Sequence, residues 1–166
     1  ANGFVGYGTQ NTAQVSAGLS GGNEQWRFRL DGNHQSSDSI SARRNASNKD
    51  ADRDPYRNTG GGASLSFLPA KGHEIGLSYR RNEGKTYYDS SSGTSSFDSR
   101  VLFESEQWQV FTKNRILDNW NSKLHYGEAV DYQNNFYSGA PANGDYLRTQ
   151  NKQLGWQTDV KLPLGS

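Results

Sequence analysis

Thr12-Ala13-Gln14-Val15-Ser16-Ala17-Gly18-Leu19-Ser20 is the stretch that decides the fold: Ala13, Val15, Ala17 and Leu19 alternate with Gln14, Ser16, Gly18 and Ser20. After Gly21-Gly22-Asn23-Glu24 the alternation resumes, with Trp26, Phe28 and Leu30 against Arg27, Arg29 and Asp31. Side chains of a strand point to opposite faces with period two, so each stretch has one apolar and one polar face. The polar face is rich in Gly, Ser, Gln and Arg, and the turns alternate between short and long. That pattern predicts an all-β chain, an antiparallel transmembrane β-barrel.

Working outward, the same reading gives eight strands. The first covers Asn2 to Thr9, the second Thr12 to Ser20, and the third Gln25 to about Ser36. The fourth, Gly61 to Leu68, leads through Pro69-Ala70-Lys71-Gly72 into the fifth, where Ile75, Leu77 and Tyr79 oppose Gly76, Ser78 and Arg80. The sixth, about Glu104 to Asn114, places Trp108, Val110 and Thr112 on one parity and leaves Phe111 on the wrong one. Trp120, Leu124 and Tyr126 mark the seventh, and Leu154, Trp156, Val160 and Leu162 the eighth. Long connections are expected at about 37–60, 84–99 and 133–146, on the extracellular side of a single partial barrel domain, 1–166. Trp26 and Trp120 then fall at the opposite interface, where an indole prefers to lie.

Composition excludes other classes. The apolar fraction of the 166 residues is 31% and the mean hydropathy −0.97, and no run approaches the roughly 18 apolar residues of a spanning helix. Disordered chains are poor in aromatics, whereas this one has four Trp, nine Tyr and seven Phe. A net charge of +1 gives no electrostatic reason for a nucleic-acid partner. Cysteine is absent, which removes disulfides and thiolate metal sites. The three His, with their Ser and Asp neighbours, have no triad spacing, and Gly6-Tyr7-Gly8 precedes no helix, so no enzymatic activity is expected. With no Met, Ala1 is not expected to be a translated start, and the chain reads as an excerpt of a larger barrel whose leader or preceding part has been removed.

A charge on a lipid-facing row costs about 2–4 kcal/mol at the midplane and roughly 0–1 near the interface. The apolar rows are nearly free of charge; Arg81 and Glu128 break parity toward the extracellular end. Arg27, Arg29, Asp31, Arg80, Lys123, His125, Asp159 and Lys161 fall on the other parity and are expected to line a polar interior.

Several longer motifs resemble one family. Gly3-Phe4-Val5-Gly6-Tyr7-Gly8-Thr9-Gln10-Asn11-Thr12 followed by Val15-Ser16-Ala17-Gly18-Leu19-Ser20-Gly21-Gly22 resembles the first barrel hairpin after the plug of TonB-dependent outer-membrane transporters, as does Trp26-Arg27-Phe28-Arg29-Leu30-Asp31-Gly32. Asp52-Arg53-Asp54-Pro55-Tyr56-Arg57-Asn58 resembles the loop end that leads into the fourth strand of the same family. His73-Glu74-Ile75-Gly76-Leu77-Ser78-Tyr79, Glu83-Gly84-Lys85-Thr86-Tyr87-Tyr88-Asp89 and Asn121-Ser122-Lys123-Leu124-His125-Tyr126-Gly127 resemble its cobalamin-receptor branch most. The resemblance implies an outer-membrane location among lipid, a barrel of 22 strands, a plug that contacts TonB, and cobalamin or a siderophore as transported ligand. The plug and its TonB contact are missing from this sequence, so energy-dependent transport is expected of a parent protein.

Binding residues concentrate on loops over a rigid scaffold. The candidates for ligand contact are Arg43, Arg44, Tyr56, Arg57, Tyr87, Tyr88, Phe136 and Tyr137, with Tyr146 nearby; the aromatic groups serve equally as an interfacial girdle. Asp50, Asp52 and Asp54 have the alternate spacing of hard-cation ligands, and the resemblance implies calcium in this loop. An EF-hand does not fit, since Pro55 stands where Gly belongs and Gly61 where Glu belongs. Arg43, Arg44, Arg53 and Arg57 are the alternative neutralising partners, and no other cofactor is expected. A self-contained eight-stranded barrel or a soluble β-rich binding module stays open as the other reading, because eight strands can close around their own side chains.

Overall fold

The computed structural model describes residues 1–40, 53–88, 99–137 and 140–162. They form β1 (Asn2–Gly8), β2 (Thr12–Gly22), β3 (Trp26–Ser37), β4 (Tyr56–Ala70), β5 (His73–Tyr87), β6 (Arg100–Leu117), β7 (Trp120–Tyr137) and β8 (Ala140–Val160). All belong to one eight-stranded sheet in sequence order, and every pairing is antiparallel. The all-β class, the strand number and the meander follow the sequence reading. The sheet is open: β1 pairs only with β2 and β8 only with β7, so the described chain does not close into a barrel.

Local chemistry sets the turns. Gln10 and Asn11 both take positive φ, 60° and 51°, and Thr12 N–H reaches Thr9 O at 3.1 Å. This is a type I′ reversal, whose twist suits a tight hairpin. Between β2 and β3, Asn23 Oδ1 accepts from the N–H groups of Gln25 and Trp26 at 2.9 and 2.8 Å, an Asx turn. Between β4 and β5 the backbone turns through Gly72 at φ 86°, a conformation that only glycine adopts cheaply, and Gly72 O accepts from Arg115 N–H at 2.7 Å.

At the other end the strands run further than the sequence alone predicts. Residues 56–60 pair with Ser37–Asn33, and 84–87 with Phe103–Arg100, so Tyr56, Arg57 and Tyr87 are strand residues. The stretch 133–146 corrects a loop expectation. Gln133 and Asn134 pair with Leu147 and Tyr146, and after a register shift Phe136 and Tyr137 pair with Pro141 and Ala140. Both faces of this hairpin are polar or mixed, which removes the period-two signal even though backbone pairing continues.

Phe111, the residue on the wrong parity of β6, has a local reason to be there. It sits opposite His125 on β7 and Gly76 on β5. A β-carbon built on Gly76 would meet the Phe111 ring and lie 2.9 Å from Ser66 Oγ, so the ring occupies the space the glycine leaves open. An aromatic ring laid over a strand glycine covers its bare backbone and pins the register. Gly76→Val is therefore expected to destabilise the assembled sheet by about 1–3 kcal/mol, the scale of overpacking. Phe111→Ala in the same chain should restore part of the loss, as read from the temperature at which gel mobility changes on heating.

No described apolar side chain is buried; the buried residues with polar side chains are Ser66 and Ser99. A single sheet layer has no second layer on which to fold its apolar face.

Candidate functional site

Register assigns each side chain to a face. One continuous row crosses seven strands: Gly21, Phe28, Leu65, Leu77, Val110, Tyr126 and Leu154 stand opposite one another in turn. The row beneath it carries Trp26, Phe67, Ile75, Thr112, Leu124 and Trp156. None of these residues is charged. Trp26 packs on Phe67 with ring centroids 4.7 Å apart, and Trp156 Nε1–H donates to Ser122 Oγ at 3.0 Å. The face is broadly exposed, with Val5 at 82%, Leu154 at 71% and Trp156 at 69%.

The apolar band has a sharp upper border. Arg81 lies nine residues beyond the turn at Gly72, and Glu128 nine beyond Asn119. Nine residues at about 3.3 Å each span about 30 Å along the strand. At that border, on the same face, Arg81 reaches Glu104 at 3.0 Å, Glu83 at 3.2 Å and Glu106 at 3.5 Å. Tyr79 O–H donates to Glu106 Oε1 at 3.0 Å. Further along the border Gln150 donates to Glu128, and Arg148 Nε–H donates to Tyr132 Oη at 3.2 Å. Glu83, Glu104 and Glu106 escape a sequence reading because they gather only once β5 and β6 are in register; the parity break at Arg81 is the one signal available beforehand.

The opposite face is polar in its lower part, apart from the Phe111 ring laid over Gly76. Arg27, Arg29, Asp31, Arg80, Lys123, His125 and Asp159 share it. Asp31 accepts from Arg29 at 3.0 Å and faces Arg80 at 3.6 Å, while Lys113 reaches Glu74 at 3.2 Å. The cation of each pair is at least half exposed while Asp31 and Glu74 are partly covered, and solvent at the cation keeps such pairs weak, about 0–1 kcal/mol. The arrangement is a wettable surface on which part of the charge is paired.

The candidate ligand residues divide between the faces. Arg57, Tyr87 and Phe136 stand on the face of the apolar band, and Tyr56, opposite Ser37 and Thr86, on the polar one. Tyr88 lies just past β5, its N–H bonded to Ser99 O at 3.0 Å, and Tyr137 ends β7 opposite Ala140. Arg43, Arg44, Asp50 and Asp52 lie outside the described residues, so of the proposed calcium ligands only Asp54 is placed. No cluster of three metal-binding side chains occurs among the described residues. Arg53 pairs with Asp38 at 3.3 Å, and Asn11 Nδ2 donates to the same carboxylate at 2.6 Å.

No protein-family model matches the chain, and no curated protein is similar to it. The all-β antiparallel sheet is thus defined by its own geometry.

Proposed function

We propose that this chain is a barrel segment of an outer-membrane active transporter for a large scarce nutrient such as cobalamin or a siderophore, with its apolar face against lipid and its polar face toward the lumen. The observation that carries the membrane part is the uncharged band of exposed Leu, Val, Phe and Trp side chains, bounded by charged residues on β5 to β8. A water-soluble protein rarely exposes a contiguous apolar patch of such extent. A spanning strand needs about 9–11 tilted residues, and the distance from turn to charged border fits.

The transport part is supported by the motif resemblance of the hairpins β1–β2 and β4–β5 to TonB-dependent transporters. In that reading a plug supplies the TonB contact, and the nutrient enters from the end where 38–55 and 88–99 connect the strands. A ligand held within the lumen meets the face of Tyr56, whereas Arg57, Tyr87 and Phe136 point to the outer surface.

Labels placed one residue apart test the membrane part. Spin labels at Leu154, Trp156 and Val160 are expected to be quenched by a lipid-soluble agent. Labels at Gln153, Gly155 and Gln157 are expected to be protected from it. Equal quenching at both parities would remove the lipid-facing assignment. The transport part predicts energy-dependent cobalamin or siderophore uptake by cells that make the full parent protein, lost when TonB is removed.

A further inference from the structure

We propose that a groove on the polar face, running along β7 between amide side chains of β6 and β8, seats an extended, uncharged polypeptide segment by its main-chain N–H and C=O groups. That face is the same in a barrel lumen and in a soluble sheet, so the groove does not depend on the membrane reading.

Register builds the groove. On β7, Gly127 stands between Gln109 of β6 and Gln153 of β8, and Ala129 stands between Gln107 and Asn151. The middle strand thus presents a floor of one glycine and one alanine, with a carboxamide on each side at both levels. Among the described residues none of these four carboxamides has a hydrogen-bond partner, whereas Gln133, Gln150 and Gln157 on the neighbouring stretches each donate to another side chain. No residue of the floor or the two amide rows is charged, so a charged guest finds no counter-ion there. Glu128 lies alongside, but its side chain belongs to the other parity, where Gln150 donates to it. Below, the rings of Phe111 and His125, laid over Gly76 and Gly155, close the groove.

The spacing fits a polypeptide in extended form. Neighbouring strands lie about 4.8 Å apart, which sets the two amide rows about 9.6 Å apart. Side chains stand roughly perpendicular to a sheet, so a strand laid over β7 has an amide row about 4.8 Å to either side. Paired strands bond their main-chain groups at that same spacing. Along each row the carboxamides repeat every two residues, about 6.6 Å, and an extended guest turns an N–H and a C=O to one side at the same interval. Each carboxamide offers two N–H donors and an accepting oxygen, and so serves both. The cleft between the rows, about 80 Å³, has room for a main-chain unit and none for a sugar ring or a bulky side chain. Guest residues that face Gly127 and Ala129 must therefore be small, and main-chain bonds supply the affinity, as in other modes of extended-peptide recognition.

The test titrates the full chain in detergent micelles with a neutral peptide of four Thr-Gly repeats, blocked at both ends, and follows the side-chain amide resonances by NMR. Shifts are expected at Gln107, Gln109, Asn151 and Gln153, and not at Gln14 or Gln35 on the distant strands β2 and β3. Gln109→Ala with Gln153→Ala should weaken binding about tenfold or more, the scale of losing two hydrogen bonds. Gln153→Ala alone should weaken it less, Ala129→Ile should abolish it by raising the floor, and Gln157→Ala should leave it unchanged. The same peptide with N-methylated main-chain amides should not bind. Absence of shifts at the four carboxamides would overturn the assignment, as would wild-type affinity in both the double variant and Ala129→Ile. Equal binding by the N-methylated peptide would overturn main-chain recognition. Equal shifts from maltohexaose, a neutral oligosaccharide, would overturn it too and make the groove a sugar site.

Discussion

Leu77→Arg is expected to cost the assembled protein about 2–4 kcal/mol, the measured scale for a cation at the midplane of the lipid-facing side of a barrel. Leu77 is half exposed, at 50%, and its cross-strand neighbours on β4 and β6 are Leu65 and Val110. It lies five residues beyond Gly72 and four before Arg81, near the middle of the uncharged band. An arginine there has no carboxylate in the adjoining positions, and its guanidinium would have to reach past Tyr79 to approach the border. Gln153→Arg places the same side chain on the polar face of β8, opposite Gly127, and is expected to change stability little. Denaturant unfolding in lipid bilayers reads both. Were the two variants equally stable, the apolar band would not be facing lipid.

The contrast between these two positions, one on each parity of its strand, shows what the sequence alone could and could not deliver. Wherever one face is apolar and the other polar, parity reveals both the strand and its orientation. The row through Leu154, Trp156 and Val160 is legible for that reason. Phe111 is legible only as an exception, because its explanation is Gly76, 35 positions away in the chain and opposite it in space. Above the border the signal fades. The hairpin of β7 and β8 carries Gln133, Asn134 and Asn135 on one strand and Gly144 and Asp145 on the other, a composition that suits a loop. Backbone N–H and C=O groups nevertheless pair across most of it. Side-chain patterning reports where a sheet is half-buried and falls silent where both faces are wet.

The candidate site suffers from the same limit. Gln109 and Gln153 are each visible as single amides, but their standing on either side of Gly127 depends on the register of β6, β7 and β8. The cluster around Arg81 likewise draws on β5 and β6. Charges that lie on one strand, such as Arg29 and Asp31, could be paired by eye from their alternate spacing.

The largest effect is expected when the chain is placed in water. None of its described apolar residues is buried, so little apolar surface is removed from solvent to offset the conformational entropy of ordering the strands, which is about 1–2 kcal/mol per residue for the backbone alone. The two outer strands add a second difficulty. Val5 and Tyr7 project from β1, and Leu154 and Trp156 from β8, beside rows of backbone N–H and C=O groups that have no strand partner in the sheet. Such an edge is a template for pairing with another chain, and within a bilayer each unsatisfied group costs several kcal/mol. In detergent-free buffer the 166-residue chain is expected to elute as large aggregates, or to lose its β signal. In detergent or lipid it should close its edges on each other or on a second copy, because an open sheet leaves both edges unsatisfied. Size-exclusion chromatography with light scattering, run beside circular dichroism, distinguishes these states. A stable, monodisperse, β-rich monomer in plain buffer would mean that the apolar face is covered by residues outside those described, and it would favour the soluble binding module over the membrane segment.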